Sequence, residues 1–334
     1  MLHDNHDMNH KPRVVVMGGG TGTFPVISAL KHLDVDISTV IAVSDSGGST
    51  GRIRDEFGFQ PVGDLRQSLA SLAESETESW IRKILLYRFE KGEGLKGHNL
   101  GNLILTALQD MTGDTTRALE IAEKVFRLGG TVIPVTQENV NLQINYADGT
   151  TAVGEHILDE KVTDPKRVDS VSLVPAAELN PLAADAIAKA DLIVIGPGDY
   201  FASLMATLVV GGIPEVFQQT QAKVLYIGNL MTRITQTHGM TARDHVLGIE
   251  KAIQRPVDHV LINTEPISAT TLKVYENEGE FPVIDDLGED ARVIRVSVIS
   301  DVVHDQKAYD TVHRSLLRHD SVKLEAVLRQ LLNQ

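Results

Sequence analysis

The chain has no cysteine among its 334 residues. That excludes disulfides, thiolate nucleophiles and cysteine-based metal centres, and it fits a reducing compartment. Aromatic residues make up only 4%, with a single tryptophan, Trp80, so base stacking on single-stranded nucleic acid lacks its usual platform. Cations are outnumbered. A formal charge of −14 opposes the backbone-phosphate binding on which DNA and RNA recognition depends. Neither argument touches a nucleotide held in a small positive pocket. No apolar run nears the roughly 20 residues of a membrane helix, and no signal peptide is legible. The 12 histidines show no HExxH or comparable spacing, so no metal is expected. His3, His6 and His10 fall in a polar leader, 1–12, expected to be disordered. The expectation is a cytoplasmic protein with neither a nucleic-acid nor a membrane partner.

What is present is an ordinary globular balance, 42% hydrophobic and 23% charged, on a chain long enough for a sizeable core. Short apolar runs alternate with amphipathic stretches, the pattern of strands and helices wound around a parallel sheet. Strands are expected at 14–17, 37–43, 131–134, 192–195, 224–227, 259–262 and 293–297. Several are apolar throughout, as in strands buried on both faces. Helices are expected at 24–33, 65–73, 80–89, 100–110, 116–126, 182–190, 242–253 and 322–332. Asp114 can cap the fifth of these, and Gly129-Gly130 can end it. Between 141 and 146 polar and apolar residues alternate, and Ala147-Asp148-Gly149-Thr150 supplies a tight-turn signal. The reading is one doubly wound, mostly parallel Rossmann-like α/β domain over 13–334, with a small antiparallel β insertion near 140–173.

Glycine-rich turns follow the strands. Arg13 to Met17 runs into Gly18-Gly19-Gly20-Thr21-Gly22-Thr23. This is neither the G-x-G-x-x-G fingerprint, because Thr23 stands where the third glycine belongs, nor a Walker A loop, because no Gly-Lys-Ser/Thr follows. Its physics survives both departures: glycine allows close backbone approach, and a helix start beyond it favours an anion. The second loop, Ser44-Asp45-Ser46-Gly47-Gly48-Ser49-Thr50-Gly51-Arg52, puts Asp45 where a Rossmann protein grips a ribose hydroxyl, or where a turn uses a capping acid. Ser46, Ser49 and Thr50 offer hydroxyls, and Arg52 and Arg54 offer charge. Gly63-Asp64 opens another helix, with Asp64 a ligand contact or a cap. Gly97-His98-Asn99-Leu100-Gly101-Asn102 leaves the same choice for its two asparagines. Gly196-Pro197-Gly198-Asp199 and Gly228-Asn229 complete the set. Ligands of open α/β sheets sit beyond the carboxyl ends of the strands, where all these loops belong.

Taken together the motifs resemble those of the CofD/YvcK family. Gly-Gly-Gly-Thr-Gly at 18–22, Ser-Asp-Ser-Gly-Gly-Ser-Thr-Gly at 44–51, Gly-Asp-Leu-Arg at 63–66 and Gly-His-Asn-Leu-Gly-Asn at 97–102 carry the likeness. Gly-Pro-Gly at 196–198, Asn-Leu-Met-Thr at 229–232, Thr-Ala-Arg-Asp-His-Val at 241–246 and Arg-His-Asp at 318–320 extend it over roughly residues 13 to 330. One branch of the family is 2-phospho-L-lactate transferase, which acts on a nucleotide carrier. The other is the YvcK branch, the gluconeogenesis factors, which bind UDP-sugars and are tied to cell shape and to gluconeogenic growth. The His-Asn-Leu-Gly-Asn run and the late Arg-His-Asp look closer to the YvcK branch.

The resemblance implies a nucleotide site built from Gly19, Gly20, Thr21, Gly22, Asp45, Ser46, Gly47, Gly48, Ser49, Arg52, Asp64, His98, Asn99, Asn102, Gly196, Gly198, Asn229 and Arg318. Arg318 would meet the diphosphate, for which a bidentate guanidinium is suited. Two departures stand out. Many members carry a second aspartate where this chain has Ser46, which thins the carboxylates a Mg-dependent transferase would need and leaves Asp45 as its metal ligand or base. Arg233-Ile234-Thr235-Gln236 replaces a common Gln-Pro-Gly-Glu. The leading expectation is therefore a homodimeric UDP-sugar-binding regulator without turnover. The alternative is a transferase of the 2-phospho-L-lactate type, and an NAD(P)-dependent enzyme is a third. NADP could in any case occupy the same loops adventitiously.

Overall fold

A computed structural model describes residues 11–73, 80–160, 165–300 and 316–333. The side chains of residues 48, 49, 52, 53 and 55 lie outside that description, as do ten of the twelve leader residues. The first half of the chain runs β1 (Arg13–Gly18), α1 (Phe24–Leu30), β2 (Asp36–Ile41), α2 (Gly48–Phe57), α3 (Gly63–Leu72), α4 (Trp80–Leu86), α5 (Leu100–Thr112), α6 (Thr115–Phe126) and β3 (Thr131–Pro134). Then follow β4 (Asn141–Tyr146), β5 (Thr151–Val153), a 3-10 turn (Glu155–Asp159) and β6 (Val168–Val174). The second half contains α7 (Pro181–Ala188), β7 (Leu192–Ile195), a π-helical turn (Tyr200–Met205), α8 (Ala206–Leu208), α9 (Ile213–Gln219), β8 (Lys223–Ile227), α10 (Ala242–Ile253), β9 (His259–Asn263), α11 (Ala269–Glu276), β10 (Val293–Val296) and α12 (Ser321–Leu332).

Seven strands form one parallel sheet in the order β10-β9-β8-β7-β1-β2-β3. Val14 to Met17 of β1 and all of β7 are buried, so both strands bury both faces, and their β-branched runs are the sequence form of that burial. The winding reverses between β1 and β7: from β1 the chain proceeds outward to β2 and β3, and from β7 to β8, β9 and β10. That places the loops after β1 and β7 side by side at the topological switch point. The second sheet, β5-β4-β6, is antiparallel, the β insertion expected from the alternation at 141–146. No helix among the described residues is long and apolar enough to cross a membrane.

All seven expected strands of the main sheet form, within two residues at each end. β2 stops at Ile41 rather than 43 because its neighbour β1 ends opposite, at Gly18. Asp114 caps α6, accepting from Arg117 N at 2.6 Å. The helix ends on Arg127, which takes φ 50, before the Gly129-Gly130 pair expected to stop it. Six pieces escaped the sequence reading: the 3-10 turn, the three-residue α8 and α2, hidden inside the second glycine loop, together with α9, α11 and the π-helical turn. The last three have seven, eight and six residues, too short for a helical period to stand out.

Candidate functional site

The glycine loop after β1 is packed against protein on two sides. A Cβ at Gly20 would overlap the Asp64 carbonyl oxygen, and one at Gly22 would overlap the Pro197 carbonyl and Gly198. These two glycines let the β1 loop touch the start of α3 and the β7 loop at once. Thr23 is fully buried and donates to Gly19 O at 2.8 Å, while Thr21 stays exposed at the open side. Asn229 joins the next loop to the set: its Nδ2 donates to Gly198 O at 2.7 Å, and its Oδ1 accepts from the Tyr226 hydroxyl at 3.0 Å. Gly19, Gly20, Gly22, Gly196, Gly198 and Asn229 thus meet along one rim, and the Asn229 amide holds the rim together.

The loop after β2 is shorter than the sequence suggested, since Gly48 already begins α2 with Gly47 as its cap. The side chains of Ser49 and Arg52 lie outside the described ones. Asp45 Oδ1 accepts from Gly47 N at 2.8 Å, and its carboxyl also takes a hydrogen bond from Thr50. Burial raises the Asp45 pKa, against the pull of these bonds and of Arg66 and Arg54. Thr50 in turn accepts from Asn102 Nδ2 at 3.4 Å. Asn102 is buried and its Oδ1 has no partner among the described residues. Asn99 is the cap of α5, accepting from Asn102 N at 3.2 Å, so the plain reading holds for that asparagine. His98 lies half-buried in the preceding loop, its carbonyl accepting from Phe89 N at 2.9 Å.

Asp64 does not cap α3, whose cap position is Val62. It sits one turn-position further on and accepts from Gly20 N, while burial, then the Asp45 and Asp199 carboxylates, push it up to about 7. A neighbour that sequence reasoning missed completes the group. Glu155, in the 3-10 turn of the insertion, is driven well above the usual carboxylate range by burial and then by Asp45, Asp159, Asp64 and Asp199. The carboxylate set thinned at Ser46 is therefore refilled from α3, from the insertion and from the β7 loop. No sequence spacing joins positions 45, 64, 155 and 199; only the sheet order does. No three His, Cys, Asp or Glu among the described residues are grouped so as to hold a metal ion.

The insertion is strapped across the site from both sides. Ser46 Oγ lies 2.9 Å from His156 Nδ1 and accepts from His156 N at 3.2 Å, and Arg54 donates to Asn141. On the other side Arg233 Nη2 donates to Asp159 at 2.8 Å and faces Asp199 at 3.6 Å and Glu280 at 3.8 Å. Asp199, then Asp159, Glu280 and Glu155, hold that guanidinium firmly charged. Gln236 Oε1 accepts from Phe201 N and Ala202 N, both at 3.2 Å, securing the start of the π-helical turn. The replaced stretch 233–236 thus ties the insertion to the β7 loop.

Arg318 lies half-buried just before α12. Its carbonyl accepts from Ser300 N at 2.9 Å. Next to it His319 is buried, hydrogen-bonded to Gly228, and lowered by burial to about 4. A cleft of about 430 Å³ lined by Phe217, Lys223, Arg255 and Asp258 opens at the amino end of β8, the opposite end of the sheet from the loops. Its arginine is already spent on the carbonyls of Phe217 and Thr220, at 3.2 and 3.4 Å.

Comparison with known proteins agrees with this architecture. The family model described as 2-phospho-L-lactate transferase CofD matches residues 14–303. The gluconeogenesis factor of Bacillus subtilis is 36% identical over 330 residues, covering 98% of this chain and 100% of the relative. That of Halalkalibacterium halodurans is 38% identical over 322 residues, covering 95% and 96%. A crystal structure of a Bacillus halodurans protein, described as a member of the UPF0052 family, superposes with a TM-score of 0.85 at 34% identity over 96% of this chain and 99% of the other.

Proposed function

This chain belongs to the CofD family, and from that premise we propose that it is a nucleotide-sugar-binding regulatory protein, taking a UDP-sugar at the switch point of its sheet. The observation that carries the reading is the meeting of the β1 and β7 loops through Gly22, Pro197 and Gly198. It brings backbone from both halves of the sheet to one rim, the position at which open α/β sheets take phosphates. Relatives bearing the name gluconeogenesis factor support a role in gluconeogenic growth, with carbon partition to the cell wall and cell shape as the output. A cytoplasmic homodimer is the form in which it would act, and NADP would compete only as an adventitious occupant.

The charges at the rim support binding of a diphosphate. Carboxyls held partly protonated near neutrality, as Asp64 is at about 7, repel a diphosphate less than ionised ones would. Isothermal calorimetry with UDP-N-acetylglucosamine tests the reading: saturable binding is expected, and none at millimolar ligand would sink it. Arg318→Ala should weaken that binding by about 1–3 kcal/mol, the worth of a charge-assisted bond.

One observation favours a second reading, a transferase of the 2-phospho-L-lactate type. Asp64 lies close enough to Asp45 for each charge to act on the other, which supplies the second acid that Ser46 had taken away. A labelled nucleotide-linked donor incubated with Mg²⁺ and candidate acceptors separates the two: transfer would overturn the regulator, and intact donor would uphold it.

A further inference from the structure

Helix α5 is built inside out. Its inner face, Gly101, Asn102, Leu105, Thr106 and Gln109, is buried, yet three of these five side chains are polar. Asn102 Nδ2 donates to Thr50 at 3.4 Å, and the Thr106 hydroxyl donates to Asn102 O at 2.8 Å. Gln109 Nε2 donates to Gln60 O at 3.3 Å and to the Thr115 hydroxyl at 3.0 Å. The opposite face, Leu100, Leu103, Ile104, Ala107 and Met111, carries no polar side chain. Ala107 and Met111 are exposed, Met111 to 79%, and the other three are half-buried. Among the described residues none of these five joins an apolar cluster of the protein.

A helix with one side in water normally keeps its polar residues there. In α5 they are turned inward, where Asn102 holds Thr50 and Thr50 bonds Asp45, and the outward side is left apolar. Leu100, Ile104, Ala107 and Met111 follow one another at helical seam spacing, the pattern with which one helix packs on another. Three properties of this face fit a second copy of the chain. The protein carries a formal charge of −14, so two copies repel wherever acids face acids, whereas within α5 only Asp110 is charged and it stands about a quarter turn off the seam. The two ends of the helix differ in sign: the hairpin before it brings Arg88, Lys91 and Lys96 against Glu90 and Glu93, and its foot carries Asp110 and Asp114. A two-fold axis sets the helices antiparallel, head beside foot, so these ends complement each other. The third property is size. Leu100 N donates to Tyr87 O at 2.8 Å, which places the 51% exposed Tyr87 at the head of α5. Seam, Tyr87 and hairpin together offer on the order of 800 Å², the share each partner of a standard interface buries.

We propose that the outer face of α5 is the interface between two copies of this chain, packed antiparallel through Leu100, Ile104, Ala107 and Met111 with Ala107 at the two-fold axis. The small side chain of Ala107 lets the two helices come close there. The interface rests on the homodimer of the proposed function and supplies its surface. One face of α5 makes the seam and the other holds the Thr50 and Asp45 loop, so each candidate site stands about one helix diameter from the partner copy.

The chain has no cysteine, so one cysteine placed on the seam can form a disulfide only with a second copy. Ala107→Cys, oxidised in the full chain, should give a cross-linked dimer, because cysteines bridge when their Cα atoms lie within about 7 Å. Val322→Cys, on an exposed position of α12, should stay uncross-linked. Met111→Glu changes an exposed side chain and sets a carboxylate in the seam. Sedimentation velocity should show its dimer dissociation constant raised at least about tenfold over wild type, with the circular dichroism spectrum unchanged. A monomeric wild type would overturn the interface and the homodimer together and leave the seam to another occupant. A wild-type dimer that Ala107→Cys does not cross-link, or that Met111→Glu does not weaken, would keep the homodimer and overturn α5 as its interface. Calorimetry with UDP-N-acetylglucosamine reads a separate property: a dimer that binds no UDP-sugar overturns the nucleotide-sugar reading alone.

Discussion

At the amino end of the central sheet charges are paired off; at the carboxyl end like charges crowd together. Arg255 donates to Phe217, Thr220 and Ala222 carbonyls and to Asp258, Asp258 accepts from Val224 N at 2.9 Å, and Asp191 accepts from Arg13 N at 2.7 Å. Each of these groups ties a strand start to its neighbour. Some strand-lengths away, burial and then the Asp45 and Asp199 charges raise Asp64 and Glu155. The same sheet thus separates two tasks. One end is locally consistent and holds the fold; the other keeps unfavourable contacts that a ligand would relieve.

The largest blow to this contrast should come from Arg255→Ala. It unpairs several buried carbonyls and one carboxylate and is expected to cost about 2–3 kcal/mol, read as a lower melting temperature with UDP-sugar affinity unchanged. A loss of affinity instead would erase the division of labour. Next comes Asp64. Its folded pKa of about 7 lies above the model-peptide value of 3.8, so between those limits the folded protein holds a proton that the unfolded chain has released. Stability should therefore fall as pH rises from about 4 to 7, by an amount on the order of 2 kcal/mol, and level off above. Asp64→Asn should reduce that slope in pH-dependent denaturation curves, leaving the share contributed by Glu123 and Glu155, which burial also raises, and a slope unchanged by the substitution would refute the assignment. The smallest effect belongs to Ser46→Ala. Losing the exposed bonds to His156 should cost about 0.5–1 kcal/mol and raise hydrogen exchange in the 3-10 turn, while the main sheet stays protected.

The fold was legible because its signals are local. Val14 to Met17 and Leu192 to Ile195 announce buried parallel strands by composition, and the hairpin at 141–153 by alternation and a turn. α2 was hidden because Gly48, Ser49, Thr50 and Gly51 speak of a loop, and its packing against α5 overrides their weak propensity. The glycine loops themselves were found, yet Gly20 and Gly22 proved to face protein backbone as closely as any ligand could. Glu155 was out of reach: it lies in a segment without a motif and acquires its meaning from residues far along the chain, whereas Arg233 stood out in the sequence only as a departure from the family's usual run.

The position of β1 has a kinetic consequence. One of its edges is completed by β2, from the very next stretch of chain, but the other waits for β7, with Val14 opposite Leu192. During synthesis this strand, with Val14 to Met17 apolar on both faces, therefore has an open edge until residue 195 has been made, an interval on the order of ten seconds at ordinary translation rates. An unpaired hydrophobic edge is an invitation to pair with another chain. Yield at high expression levels should thus be governed by how well nascent chains are kept apart, more than by the final stability of the sheet.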